Sequence, residues 1–227
     1  MTDDIEQINW VYTPRAFRQD AEEAMRGNIV RGLIELITNA DDAYTKMEAQ
    51  HGRIRVGVEH RRGREWRVIA RDRATGMSLQ ELRERIVHLG KRSSGFESGR
   101  HVRGNRGRGA KDLAAFGRVR FESINDGRYA QLEAGATTVG VSKKDEPATR
   151  EIRESLGIPR GNGTVVTMLV NPSIRCPLHD RLRDQLARHY QLRFITMDPT
   201  RELVLVNLNN PNEATRLRYE VDWTGHP

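Results

Sequence analysis

Glu35, Asn39 and Asp42 are acid and amide groups set in a run, Glu35-Leu36-Ile37-Thr38-Asn39-Ala40-Asp41-Asp42-Ala43-Tyr44, whose period predicts a helix. At 3.6 residues per turn these three fall on neighbouring turns of one side. Leu33, Ile34, Leu36 and Ile37 give the same helix an apolar surface to bury. A polar stripe beside that surface costs free energy unless it meets a ligand, an ion or hydrogen-bonding partners. A carboxylate one turn from an amide oxygen can hold a water and a hard cation together, because hard cations take oxygen ligands and keep several waters. A capped, solvated helix with one buried polar contact satisfies the same ten residues. The run alone leaves both readings open.

The segments downstream change the balance. Arg64–Asp72 (REWRVIARD) alternates like a strand and ends in an acid. Asp72-Arg73-Ala74-Thr75-Gly76-Met77-Ser78 then turns into an expected helix over 78–89. Gly90-Lys91-Arg92-Ser93-Ser94-Gly95 follows, and Gly104-Asn105-Arg106-Gly107-Arg108-Gly109 opens another helix. Gly161-Asn162-Gly163-Thr164 leads into the apolar strand 165–170.

That order resembles the GHKL ATPases, which share the Bergerat fold and include gyrase B subunits, MutL proteins, histidine kinases, MORC proteins and the ninety-kilodalton heat-shock chaperones. The local likeness to the chaperones is strongest. ELITNADDAYTK (35–46) is similar to their first motif, DRATGMSLQELRERIVHLGKRSSG (72–95) to the second running into the lid, and GNRGRG (104–109) to their G-x-x-G-x-G. The resemblance spans about residues 27–172. Each motif is weak by itself, but four in family order are specific.

The resemblance implies magnesium-dependent ATP binding and slow hydrolysis used as a conformational or dimerisation switch. Glu35 matches the general base that polarises the attacking water, and Asn39 the magnesium ligand. Asp72 matches the acid that accepts a hydrogen bond from the adenine amine, and Thr164 the hydroxyl supporting that contact. Gly76 and Met77 match residues lining the adenine pocket, and Asp42 a position supporting its adenine side. Gly104, Gly107 and Gly109 match the lid hinge, where glycine lets backbone amides approach phosphate. Phosphoryl transfer to water asks for such positioning and charge neutralisation rather than covalent chemistry.

Two features depart from the family. Ala74 stands where D-x-G-x-G has its first glycine; its β-carbon disfavours positive φ, which puts the turn and the nucleotide affinity in question. The γ-phosphate lysine supplied by a following domain has no identifiable counterpart, with Lys91 and Lys111 the nearer candidates. A non-hydrolysing nucleotide-sensing scaffold is therefore the alternative reading, although a pure binder has no need of a base at Glu35.

Composition bounds the rest. The 227 residues suit one domain plus part of another, and Cys176, the single cysteine, excludes an internal disulfide or a thiol metal cluster. The acidic start, the lack of a long apolar run and the lone thiol fit a soluble chain in a reducing cytoplasm, away from membranes. The seven histidines form no HExxH pattern. The formal charge of +7 sits wholly in Lys91–Arg120, where nine Lys or Arg face only Glu97 and Asp112. This exceeds what a triphosphate requires, so a nucleic-acid clamp or an acidic surface on a partner protomer is a further candidate for the lid region. No aromatic platform for single strands accompanies it.

The patterning predicts an α/β, two-layer sandwich with a mixed sheet and helices on one face. Helices are expected over 14–25, 28–50, 147–156 and 179–190, and strands over 53–60, 66–70, 118–124 and 129–133, the last pair joined at Asn125-Asp126-Gly127. A boundary is expected near Asn171-Pro172-Ser173. It would divide an ATP-binding domain (1–172) from a tail (173–227), read either as the start of a transducer-type domain or as a C-terminal strand extension. Strands are expected there over 201–209 and 217–223.

Overall fold

The computed structural model describes residues 15, 19, 23, 25–87, 112–135, 139–140 and 145–221. The expected lid residues Gly104, Gly107 and Gly109, and most of the basic segment, lie outside the described residues. Of the expected helix over 14–25, residues 15, 19, 23 and 25 are described, each helical.

Helix α1 (Ile29–Lys46) is the element on which the candidate chemistry rests. It starts at Asn28, whose side chain accepts from the Val30 amide at 3.0 Å while its backbone stays extended. It ends four residues before the expected Gln50, because Met47 caps it and Glu48 takes a left-handed φ of 52°. Ile29, Leu33, Ile37, Ala40 and Tyr44 recur every three to four residues and are buried. Gly32 on the same face lets α1 approach the 3₁₀ turn Leu113–Phe116, since a β-carbon there would stand 2.8 Å from the Phe116 ring.

Among the described residues nine strands form one mixed sheet. They are β1 (Gly52–Glu59), β2 (Trp66–Arg71), β3 (Gly117–Asn125), β4 (Arg128–Ala134), β5 (Val139–Gly140), β6 (Asp145–Pro147), β7 (Gly163–Val170), β8 (Arg201–Asn207) and β9 (Ala214–Arg216). The order is β5-β4-β3-β7-β2-β1-β8-β9, with β6 also on β4. Among the described residues only β1 and β8 pair in parallel. The β3–β4 hairpin turns at Asp126 and Gly127, both with positive φ (47° and 77°), the geometry whose twist matches the flanking strands.

The further helices are α2 (Leu79–Val87), α3 (Arg150–Leu156), α4 (His179–Ala187) and α5 (Arg193–Thr196). Alternation along the strands divides the core. Val68, Ala70, Val166 and Met168 pack with α1, α2 and α4 in the large cluster, whereas Ile69, Ile124 and Val165 meet Leu156 and Ile152 of α3 in a small one. Thus α3 covers the far face at one end of the sheet.

Several boundaries differ from expectation for local reasons. Helix α3 begins at Arg150 because the Thr149 hydroxyl caps it, and Pro147 instead belongs to β6, opposite Arg128. Helix α4 stops at Ala187 and is followed by a separate 3₁₀ turn at Tyr190–Leu192. The last strand falls at Ala214–Arg216 rather than 217–223. Leu217 still donates to Leu203 O at 2.8 Å and is buried, but Tyr219 is only half-buried and Val221 is exposed, so the alternation mimics a strand without a full core to meet.

The residues past 172 share this sheet and this core. Strand β8 pairs with β1 from Gly52 to Val58. Arg201 of β8 reaches Asp41 of α1 at 3.0 Å, with side chains only 9% and 6% exposed. Removing one member of such a buried pair leaves an uncompensated charge.

Candidate nucleotide site

Asp72 follows the last residue of β2, and the structure seats it between two segments. Its amide donates to Thr164 O at 3.0 Å. Its Oδ1 accepts from the amides of Ala74 at 2.9 Å and Thr164 at 3.3 Å. No hydrogen bond from the described residues goes to its other oxygen. The residue is 8% exposed, and burial pushes its carboxyl up to about 6 from an ordinary 3.8, against the pull of those two amides. That second oxygen has the chemistry to accept from an external donor.

The neighbouring residues form one hydrogen-bonded set. Ser123 Oγ receives the Met77 amide at 2.7 Å, lies 3.2 Å from Gly163 O and stands 3.4 Å from Thr164 Oγ1. Asp72, Met77 and Thr164 are thereby brought together, with Ser123 as the link that sequence reasoning missed. The sequence offered only a serine near the end of the expected strand 118–124. Gly76 has φ +67°, and a β-carbon there would sit 2.0 Å from Ile124 O. Its glycine is required for the turn to lie against β3.

Ala74 does not take positive φ; the described non-glycine residues that do are Arg26, Glu48 and Asp126. Its side chain is buried at 2% exposure and its amide serves Asp72. The β-carbon is thus accommodated in the core, and the turn keeps its acid.

Tyr44 fastens this turn to the sheet. Its hydroxyl accepts from the Arg73 amide at 2.7 Å and donates to Arg53 O at 2.9 Å. Gly52 makes room for the ring, since a β-carbon there would stand 2.7 Å from it. Tyr44→Phe removes both bonds and leaves two part-buried backbone groups unmet, so we expect a loss of about 2 kcal/mol, read from urea unfolding. Tyr44 and Arg73 also line an open cavity of about 420 Å³ with Arg53 and Arg216, which includes neither Glu35 nor Asp72 and is therefore distinct from this site.

Glu35, Asn39 and Asp42 lie along α1, upstream of Tyr44. Glu35 and Asp42 are half-buried and Asn39 is exposed. Burial raises the Glu35 carboxyl above its usual range, and the negative charges of Asp112 and Asp42 raise it further. Asp112 precedes the 3₁₀ turn packed on Gly32, and it is buried. It joins the acidic group although the sequence signal was only an acid following the glycine run. Asp112 and Asp42 each lie within electrostatic reach of Glu35, and Asn39 adds an exposed amide on the same helix; carboxylate and amide oxygens are the kind of donor that a hard divalent cation takes. From Glu35 to Tyr44 is nine residues, about 14 Å of helix.

No protein-family model and no curated sequence matches the chain. Solved structures do: 381 chains match, so the likeness resides in the backbone rather than the sequence. One is the 43K ATPase domain of Thermus thermophilus gyrase B in complex with an aminocoumarin, with a TM-score of 0.59 and 14% identity over 90% of this chain. The chain spans about half, 51%, of the length of that one. The mixed sheet and the helices packed on it give this chain the fold of that ATPase domain, the α/β Bergerat fold that the sequence led us to expect.

Proposed function

We propose that the chain binds ATP with magnesium and hydrolyses it slowly, using nucleotide as a conformational or dimerisation switch. The observation that carries this reading is Asp72, a buried carboxylate with Oδ1 satisfied by two backbone amides and its partner oxygen open to a donor. Adenine offers such a donor in its exocyclic amine. Guanine presents a carbonyl at the equivalent position, which would set acceptor against acceptor. The Thr164 hydroxyl, held beside Ser123, supports the same edge of the base. Met77 and Gly76 line the base, and Asp42 stands on the helix side.

The axial rise of α1 from Tyr44, whose hydroxyl meets the Arg73 amide, to Glu35 is about 14 Å, similar to the length of an extended purine triphosphate. Base and phosphates would lie along it, with the lid glycines Gly104, Gly107 and Gly109 supplying amides to the phosphates. Asn39 would hold the magnesium ion, which when bound neutralises phosphate charge and fixes its geometry. Glu35 would accept a hydrogen bond from the attacking water and orient it in line with the terminal phosphorus. Its raised proton affinity brings it closer to neutral pH, where a base of this kind works best.

Equilibrium binding of ATP and GTP to the intact chain, with and without magnesium, tests the reading. ATP is expected to bind about 100-fold more tightly than GTP or better, with phosphate release abolished by a chelator. Equal affinity for the two bases would remove Asp72 from its assigned role.

A further inference from the structure

We propose that His179, Glu213 and Asp180 form a binding site for a borderline divalent cation of the zinc type, at the end of the sheet opposite Asp72. His179 opens α4 and its side chain is only 8% exposed. Neither of its ring nitrogens has a hydrogen-bond partner, which is unusual for a buried imidazole. Its Nδ1 lies 3.5 Å from Glu213 Oε1 and 3.9 Å from Asp180 Oδ1, too far for good hydrogen bonds. One ligand atom from each of the three residues lies within 4.8 Å of the other two.

Those separations suit an ion between the groups. Bonds of about 2.0–2.1 Å at tetrahedral angles put neighbouring ligand atoms roughly 3.4 Å apart. Imidazole nitrogen with carboxylate oxygens is a donor set for zinc and its neighbours in the first transition row.

The second shell is already built. Glu213 Oε2 accepts from Asn207 Nδ2 at 2.7 Å, and Asn207 N donates to Glu213 O at 3.0 Å, which leaves Oε1 to face His179. His60, just past β1, is near enough to feel the charge of His179, and both of its ring nitrogens are also buried without partners. Trp66 holds the His60 ring at 3.6 Å between centroids, and Asn209 bonds its backbone at both N and O. Asp180 also pairs with Arg183, but Arg183 keeps Asp184 at 2.9 Å when Asp180 turns to a cation.

The site is separate from the nucleotide. In the β1–β2 register Asp72 falls level with Ile54, six residues from His60 and about 20 Å along the strand. An ion here would tie the start of α4 to the loop between β8 and β9. None of this shows in the sequence as a spacing motif, because Glu213 arrives only when β9 folds back on β8.

Titrating chelator-treated intact protein with CoCl₂ tests the proposal through the visible spectrum of four-coordinate cobalt, with ZnCl₂ as competitor. One cobalt per chain is expected, displaced by zinc, together with a rise in melting temperature on adding zinc. Glu213→Gln, outside the core, should weaken zinc at least about tenfold and abolish the melting shift, and His179→Gln should do the same. Glu35→Ala, in the other acidic group, should leave the cobalt spectrum unchanged. Absence of saturable binding, binding that survives Glu213→Gln, or binding lost in Glu35→Ala would overturn it.

Discussion

Glu35→Ala is expected to lower the rate of magnesium-dependent ATP hydrolysis by about 10²- to 10⁴-fold while leaving ATP affinity within a few-fold of the unaltered chain. In the role proposed for it the carboxylate would act on the attacking water, so its loss should fall on the transition state rather than on ground-state binding. Glu35→Gln should behave the same way, because the amide keeps the shape and loses the base. The direction of the pH response follows from the local charges. Burial, then Asp112, then Asp42 raise the Glu35 carboxyl, so turnover should fall as pH drops through that raised value. Asp112→Asn removes one of the two like charges and should move the acidic limb of the rate profile to lower pH. Phosphate release and fluorescent-nucleotide binding measured in parallel decide the matter. Measurable binding with no turnover in the unaltered chain would favour the nucleotide sensor over the ATPase.

The parts of this fold that could be read from sequence are those where local chemistry and tertiary demand coincide. Helix α1 is one: Asn28 caps it, its apolar period faces the core, and its polar residues fall on the remaining side. The Asp126-Gly127 hairpin is another, since only a few residue types accept two successive positive φ angles. Asp72 stood out because an ionisable group ending a buried strand is costly without a purpose. The residues that escaped notice depend on contacts between distant segments. Ser123 is an ordinary serine until Met77 and Thr164 meet it, 46 and 41 residues away in the chain. Asp112 becomes part of the Glu35 environment only because the Leu113–Phe116 turn packs on Gly32. Asp41 gives no hint of Arg201, its partner 160 residues on. The parallel pairing of β8 with β1 is likewise invisible to periodicity, which registers faces but not neighbours.

Asp72→Asn should strengthen the fold and weaken the site. Below pH 3.8 the carboxyl is protonated in both folded and unfolded chains, and its burial carries no charge penalty. Between 3.8 and about 6 the unfolded chain ionises while the folded protein keeps the proton, so stability falls as pH rises through that window. Above about 6 the full cost is in place, two pKa units at about 1.4 kcal/mol each, or about 3 kcal/mol. The amide is neutral at every pH, and its oxygen can still accept from Ala74 and Thr164. The variant is therefore expected to gain up to about 3 kcal/mol in urea unfolding without nucleotide at pH 7.5, with the gain gone near pH 4. Nucleotide affinity should move the other way. If the amide oxygen stays on the two backbone donors, its NH₂ meets the adenine amine, donor against donor; if it flips, the NH₂ meets the backbone amides instead. Either arrangement should weaken ATP by about 100-fold or more. In the unaltered chain, ATP binding should tighten as pH rises from 5 to 7, because the adenine amine needs the ionised acid and binding must expel its proton. A variant that is no more stable than its parent and still prefers ATP to GTP would show that Asp72 is a structural strand cap rather than the reader of the base.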